Sequence, residues 1–225
     1  MGPDLIAAVR HGESAANLAF QQAGEKPLVY ELGDDEVTLT ELGRTQAAAL
    51  GRLLATLPGG EEPDLVWCSP YLRALETWQH AQRTWGAAPL PVTVDERLRD
   101  QEAGAFARYN LAAIRERFPR ELARREAEGA YAYRPPGGES LGDVVVRLRD
   151  CLSDLERLAD GRRVLIVAHD SVVLALRHVM AGRPDAELAE VLAFAPVLNA
   201  SFSLWRGDAG RFELVRFNDV AHLGP

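Results

Sequence analysis

Lysine is nearly absent from this chain, since Lys26 is the single lysine among the 25 basic residues. Acidic residues number 33, and the formal net charge is −8. Proteins that bind along nucleic acids or anionic membrane surfaces need an excess of basic side chains to neutralise phosphates. The charge therefore argues against a nucleic-acid partner and against a membrane surface.

Cysteine is also scarce, and the two thiols, Cys68 and Cys151, lie far apart without CxxC or histidine spacing. We expect reduced, buried thiols, which are typical of a cytoplasmic protein. The HxH and HExxH patterns of metal sites are absent, and so is the GxSxG turn of serine hydrolases. No apolar run approaches the length of a membrane span, and the first residues do not form a leader pattern.

Strands and helices are predicted to alternate along the chain. Apolar runs ending at Arg10, Cys68, Val94 and Ala168 predict strands, and amphipathic segments between them predict helices. A hairpin is predicted in the tail, where 207–210 separates two further strands. The pattern predicts one domain over 1–225: an α/β fold, a three-layer α/β/α sandwich with a mostly parallel central sheet. A helical cap insertion is expected at about 107–136, interrupted by a proline.

Charged and imidazole side chains follow four of the predicted strands. Arg10 and His11 come after the first, Arg73 after the second, an acidic turn at 100–102 after the third, and His169 after the fourth. Because ligands of such sheets gather beyond the carboxyl ends of the parallel strands, we expect these residues to meet. Any one of them alone would be read as a solvated or accidental polar residue.

The second strand is followed by a strong predicted helix start. Ser69 is placed as the N-cap and Pro70 at the first helical position, where its missing N–H costs nothing. Arg73 would then lie in the first turn, beside free backbone N–H groups and the positive end of the helix dipole. This arrangement favours an anion site.

Two imidazoles, two guanidiniums and a carboxyl group suit phosphoryl transfer without a metal ion or cofactor. A neutral imidazole can attack phosphorus, while the guanidiniums and the other imidazole hold the phosphate oxygens. A carboxylic acid can protonate the leaving oxygen. The expected partner is a small phosphorylated substrate.

Five motifs carry a resemblance to a known family. They are RHGES at 10–14 with Asn17, LTELGRTQA at 39–47, SPYLRALET at 69–77, GES at 138–140 and VLIVAH at 164–169. In this order, over nearly the whole chain, they resemble the histidine phosphatase superfamily, also called phosphoglycerate-mutase-like. The resemblance implies that His11 becomes phosphorylated and that Arg10, Arg73 and His169 form the phosphate pocket. Glu13 and Asn17 are candidate substrate contacts.

The general acid departs from the family pattern, which has Glu in LxExxxG. Alignment of Leu98 and Gly104 puts Asp100 at that position, and Glu102 is a rival. Many relatives have glycine where this chain has Asp170, so we expect a more negative pocket floor.

The segment around 133–140, with Gln101 and Phe106, resembles a phosphatase branch more than the glycolytic mutases, whose Gly-Leu-Asn-Lys segment 107–110 does not match. The resemblance implies a phosphomonoester hydrolase acting through phosphohistidine. A phosphoglycerate-type mutase and a non-catalytic phospho-ligand binding module are the alternatives. In the cap, the candidate substrate contacts are Tyr109, Tyr133 and Arg134. The remaining histidines, His80, His178 and His222, are interpreted as structural or surface residues.

Overall fold

A six-stranded mixed sheet forms the centre of the molecule. The computed structural model describes residues 2–129, 131–208 and 210–224. Its strands are β1 (Leu5–Arg10), β2 (Leu65–Cys68), β3 (Val92–Val94), β4 (Arg163–Ala168), β5 (Phe202–Asp208) and β6 (Arg211–Asp219). The spatial order is β3-β2-β4-β1-β5-β6. The first four strands in this order are mutually parallel, β5 pairs antiparallel to β1, and β6 pairs antiparallel to β5. The predicted, mostly parallel sheet and its terminal hairpin are confirmed.

Helices cover both faces of this sheet. They are α1 (Ala15–Ala23), α2 (Glu41–Thr56), α3 (Leu72–Trp85), α4 (Leu111–Arg117), α5 (Pro119–Glu128), α6 (Leu141–Leu158) and α7 (Asp170–Met180). Along β1, Ile6 packs into the core shared with α6 and α7, and Ala7 into the core shared with α2 and α3. Because successive strand residues point to opposite faces, an almost uninterrupted apolar strand is what a doubly covered sheet requires. The predicted three-layer sandwich is confirmed.

The cap is less helical than the sequence pattern predicts over 107–136. Only α4 and α5 are helical there, and Phe118 lies between them because Pro119 has no N–H with which to continue α4. Helix α5 ends before Gly129, which adopts a φ of 84°. Tyr131 to Pro136 are not helical, and Ala130 lies outside the described residues.

The start of α3 differs from the prediction. The helix begins at Leu72, with Tyr71 as the N-cap residue, so Ser69 does not cap it and Pro70 does not occupy its first position. The Ser69 hydroxyl instead lies 2.7 Å from Nε2 of His169 and accepts a hydrogen bond from the Tyr71 N–H. Arg73 nevertheless lies in the first turn, as predicted.

Two predicted helix starts are observed. Thr40 caps α2 by accepting from the Gly43 N–H, and Ser140 forms a capping box with Asp143 at the start of α6. Among the described residues, no helix is both long and apolar enough to cross a membrane.

Candidate active site

The carboxyl ends of the parallel strands bring two histidines together. His11 follows β1 and donates its backbone N–H to the Ala168 carbonyl at 2.9 Å, and His169 follows β4 directly. Their ring centroids lie 5.2 Å apart, and both side chains are buried. The strand register therefore places both imidazoles in one cluster, as the strand-end positions predict.

His11 is held as a neutral imidazole with a directed lone pair. Nδ1 lies 2.7 Å from the Gly12 carbonyl oxygen, which only accepts, so Nδ1 carries the hydrogen. Nε2 then has a free lone pair, which accepts from Nε of Arg73 at 3.2 Å. Burial lowers the pKa of His11 well below 6.5, and the positive charges of Arg73 and Arg10 lower it further.

Arg73 is the central cation of the cluster. Its side chain is 4% exposed, and its guanidinium stands 4.9 Å from the centre of the Tyr71 ring. Besides His11, it contacts two carboxylates: Nη2 lies 3.2 Å from Oδ2 of Asp100 and 3.3 Å from Oδ2 of Asp34. Burial and these contacts fix the guanidinium beside the His11 nitrogen.

His169 and Arg10 provide further donors. Burial lowers the pKa of His169 well below 6.5, with smaller contributions from the charges of Arg73 and Arg10, so the ring is neutral near pH 7. Within the described chain, Nε of Arg10 is buried and has no hydrogen-bond partner; Nδ1 of His169, also buried and without a hydrogen bond, lies 3.5 Å from Oδ2 of Asp100. Unpaired buried donors are costly, and a phosphate oxygen would satisfy them.

Of the two predicted acids, the structure brings Asp100 to the cluster and leaves Glu102 outside it. Oδ1 of Asp100 accepts from the Ser171 hydroxyl at 2.6 Å, and Oδ2 faces Arg73. Burial raises the pKa of Asp100, but the charge of Arg73 and the Ser171 hydrogen bond outweigh it, and the pKa is lowered overall. Glu102 pairs with Arg99 at 2.7 Å, and its side chain is 45% exposed.

The turn that carries Asp100 is clamped to α6 by a buried ion pair. Arg147 is 8% exposed, and its Nε lies 3.0 Å from Oε1 of Glu139. The same guanidinium donates to the carbonyl oxygens of Arg97 and Asp100, at 2.5 and 3.1 Å. The Glu139 backbone also accepts from the Gln101 side chain at 2.7 Å. These contacts hold the acidic turn on a rigid helix.

Glu13 and Asn17, the predicted substrate contacts near His11, form hydrogen bonds at the starts of two helices. The Glu13 carboxylate accepts from the Thr40 hydroxyl at 2.7 Å, at the start of α2. The Asn17 side-chain oxygen accepts from the Ser14 N–H at 3.2 Å, in the capping box of α1. Asp170 is the first residue of α7, and its carboxylate accepts from the Val197 N–H at 3.0 Å, in the segment before β5.

The predicted cap residues separate in the structure. Tyr109 and Tyr133 line a cavity of about 260 Å³ that also contains Gln101 and Glu102. Arg134 does not line this cavity; its side chain is exposed and pairs with Asp143 on α6. Gln101, the residue after Asp100, thus lines the same cavity as two of the three predicted cap contacts.

Three contacts of the cluster were not predicted from the sequence. Ser69 was assigned to a helix cap but contacts His169, and Ser171 orients Asp100. The position of Ser171, two residues after a strand-end histidine, could have suggested its role. No local pattern marks Asp34, which opens a short 3-10 turn 39 residues before Arg73. Among the described residues, no group of three or more His, Cys, Asp or Glu side chains could hold a metal ion.

Comparisons with known proteins identify the family of the chain. A family model described as the histidine phosphatase superfamily (branch 1) matches residues 6–220. The 2,3-bisphosphoglycerate-dependent phosphoglycerate mutase of Methylobacterium radiotolerans is 30% identical over 189 residues, covering 83% of this chain and 84% of that protein. The 6-phosphofructo-2-kinase/fructose-2,6-bisphosphatase of Caenorhabditis elegans is 33% identical over 83% of this chain, which spans 36% of that protein.

Solved structures share the fold of the chain. The mycobacterial glucosyl-3-phosphoglycerate phosphatase superposes with a TM-score of 0.77 at 27% identity, over 96% of this chain and 99% of that one. Mutases and phosphatases thus both occur among the similar proteins.

Proposed function

The chain belongs to the histidine phosphatase superfamily, and from this premise we propose that it hydrolyses a small phosphomonoester through phosphohistidine at His11. The observation that carries the proposal is the state of the His11 ring. A backbone carbonyl holds the proton on Nδ1, and burial among cations keeps Nε2 unprotonated. A neutral lone pair meets no charge repulsion from a phosphate dianion, so it suits nucleophilic attack.

In the first step, Nε2 of His11 forms a bond to phosphorus while the bond from phosphorus to the ester oxygen breaks. Arg10, Arg73 and His169 donate to the three remaining phosphate oxygens, which carry the charge of the transition state. Asp100 gives a proton to the departing oxygen, so an alcohol leaves. The products of this step are phosphohistidine and the Asp100 carboxylate.

Substrate binding prepares Asp100 to hold that proton. In the free enzyme burial raises the pKa of Asp100, but the charge of Arg73 and the hydrogen bonds from Ser171 and Gln101 together lower it below its ordinary value. A bound phosphate dianion offsets the charge of Arg73, so the pKa of Asp100 rises when the substrate is present. In the second step, water attacks phosphorus, Asp100 takes the water proton, and neutral His11 leaves with release of inorganic phosphate.

Hydrolysis is favoured over mutase activity by the phosphatase-like segments and by the cap cavity. Tyr109 and Tyr133 give this cavity an aromatic lining that suits the organic part of a leaving group. The similarity to a solved phosphatase over nearly the whole chain supports the same assignment. Mutase activity is a second candidate because several curated relatives at about 30% identity are phosphoglycerate mutases.

The free, buried thiols of Cys68 and Cys151 support a cytoplasmic location.

The test is hydrolysis of p-nitrophenyl phosphate in EDTA by the wild type, His11→Ala and His80→Ala. His80 lies seven residues beyond Arg73 on α3, about 10 Å along the helix axis, and serves as the matched control. We expect release by the wild type and His80→Ala, and a loss of at least about a thousandfold in His11→Ala. Equal release by all three would overturn the proposal.

The mutase candidate is tested with 3-phosphoglycerate, with and without 2,3-bisphosphoglycerate. Inorganic phosphate as the main product, without dependence on the bisphosphate, supports the hydrolase. Formation of 2-phosphoglycerate that requires the bisphosphate supports the mutase. Binding of inorganic phosphate without any turnover would indicate a binding module.

A further inference from the structure

Every nitrogen of the Arg73 guanidinium contacts a protein acceptor. Nε donates to His11, and Nη1 donates to the carbonyl oxygen of Asp34 and lies 3.1 Å from its Oδ1. Nη2 donates to Oδ2 of Asp34 at 3.3 Å and to Oδ2 of Asp100 at 3.2 Å. Four hydrogen bonds and one further ion-pair contact thus surround a guanidinium that has five N–H groups. A phosphate that binds the outer edge of Arg73 therefore displaces one of these acceptors.

Asp100 is anchored by other contacts and is not the acceptor that moves. Its second oxygen is held by the Ser171 hydroxyl at 2.6 Å and by the Gln101 N–H at 2.9 Å. Arg147 holds the carbonyl of the same residue from α6. Release of Asp100 would break this whole set of contacts, and it would remove the proton donor from the site.

Asp34 is the acceptor with the fewest other contacts. It opens a three-residue 3-10 turn, Asp34–Glu36, and its side chain is 38% exposed. Within the described chain, the hydrogen bonds of residues 31–37 are internal to that segment or come from Arg73. The segment is fastened on either side of this stretch, where Tyr30 bonds to Arg108 and Thr38 to Ala15.

We propose that Asp34 is a specificity-determining residue whose carboxylate occupies the phosphate-binding edge of Arg73 in the free enzyme. A phosphoryl group displaces it, because a dianion attracts the guanidinium more strongly than a single carboxylate does. The displaced carboxylate stays at the pocket rim and repels substrates that carry another negative charge beside the phosphate. The substrate class is then a phosphomonoester with an uncharged leaving group. This inference specifies the substrate of the proposed function and rests on that function for hydrolysis, whereas the displacement of Asp34 by phosphate does not require hydrolysis.

The charges around Asp34 agree with a contact that a ligand can displace. Burial raises the pKa of the Asp34 carboxyl; Arg73 lowers it, but the charge of Asp100 adds to the increase, and so, more weakly, does Asp35. The pairing with Arg73 thus only partly offsets the desolvation of this carboxylate. A phosphate dianion that takes its place lets Asp34 return to water.

Competition between the Asp34 carboxylate and phosphate for Arg73 is tested by calorimetric titration. The dissociation constant of inorganic phosphate is measured for the wild type, Asp34→Asn and Asp34→Ala. Asp35→Asn is the matched control, because it removes the same charge from the same turn at an exposed carboxylate without a contact to Arg73 among the described residues. We expect both Asp34 variants to bind phosphate about tenfold more tightly and Asp35→Asn to stay within about twofold of wild type. Unchanged affinity in both Asp34 variants would overturn the inference, whether or not the protein hydrolyses esters.

Specificity is tested with two esters of similar size, glycerol 3-phosphate and 3-phosphoglycerate, which carry CH2OH and carboxylate at the same position. Their dissociation constants are measured in a His11→Asn background, where neither is turned over, with Asp or Asn at position 34. The wild-type carboxylate should favour glycerol 3-phosphate, and Asp34→Asn should tighten 3-phosphoglycerate by the larger factor. An equal gain for both esters would contradict the specificity role. Failure of the proposed function would be visible separately, as a lack of phosphate release by the enzyme with His11 intact.

Discussion

At His11, two neighbouring groups settle which ring nitrogen can react. The Gly12 carbonyl oxygen accepts a hydrogen bond from the Nδ1–H group, and Nε of Arg73 donates to the lone pair of Nε2. The nearby positive charges and the burial of the ring disfavour protonation, so the nucleophile is ready at neutral pH. This state depends on the turn after β1 and on α3, and residue type alone does not determine it.

The lowered pKa of His11 predicts the pH dependence of activity. A histidine with a lowered pKa stays neutral at pH values where a free imidazole, with a pKa near 6.5, is already protonated. The acid limb of kcat/KM for p-nitrophenyl phosphate, whose leaving group depends little on protonation, should therefore lie below pH 6.5. An acid limb centred at or above pH 6.5 would contradict the account of the His11 environment.

Asp100 is predicted to be the general acid, and replacing it should affect poor leaving groups most. Asp100→Asn should lower kcat by about 100-fold or more with an alkyl phosphate and by a smaller factor with p-nitrophenyl phosphate, whose leaving group needs little protonation. Glu102→Gln is the matched control, because Glu102 faces Arg99 at the surface, and its kcat should stay within about twofold of wild type. The reverse pattern would assign the acid to Glu102.

At the scale of elements, the prediction succeeds where tertiary contacts leave the local pattern in place. Thr40 and Ser140 cap α2 and α6 as predicted, because each hydroxyl accepts from a helix N–H while it donates its own hydrogen to a carboxylate, that of Glu13 or Asp143. Ser69 fails as a cap because His169, a hundred residues away, binds its hydroxyl. A tertiary contact of this kind cannot be read from neighbouring residues.

The contact between α2 and the turn after β1 leads to a stability prediction. A Cβ at Gly43 would lie 2.1 Å from the Glu13 carbonyl oxygen, and a Cβ at Gly12 would lie 2.4 Å from the Gly43 carbonyl oxygen. Gly43→Ala should therefore push the His11 turn away from α2 and lower the free energy of unfolding by about 1–3 kcal/mol, measured by urea denaturation. The same variant should lose kcat, since the turn carries the nucleophile.

Gly59→Ala is the control for this prediction, because a Cβ there meets no atom within 4 Å. Its free energy of unfolding should change by less than about 0.5 kcal/mol. Similar midpoints for Gly43→Ala and Gly59→Ala would show that the turn and α2 are not in tight contact.

Over the whole molecule, strand order explains why the site could largely be assembled from the sequence. Apolar runs that end in polar residues identify β1 and β4, and parallel pairing necessarily puts His11 and His169 at the same edge. Arg73 joins them because it begins the helix after β2, which also pairs with β4. The α/β sandwich was predicted correctly from this alternation of strands and helices, and the superfamily from the motifs that follow the strands.

The parts that could not be predicted lie in irregular segments. The choice between Asp100 and Glu102 depends on how a short turn is held by Arg147, which lies 47 residues after Asp100. The position of Asp34 depends on a single 3-10 turn within a long connection between α1 and α2. Such segments are fixed by tertiary contacts, so no spacing rule identifies their partners.

The central claim is that His11 carries the phosphoryl group, and trapping the phosphoenzyme tests it most directly. The enzyme is mixed with p-nitrophenyl phosphate in EDTA, quenched in alkali within one turnover, digested and mapped by mass spectrometry. We expect one phosphoryl group on the peptide that contains His11, and none when His11→Ala is treated in the same way. A phosphoryl group on a different residue, or wild-type turnover in His11→Ala, would contradict the mechanism.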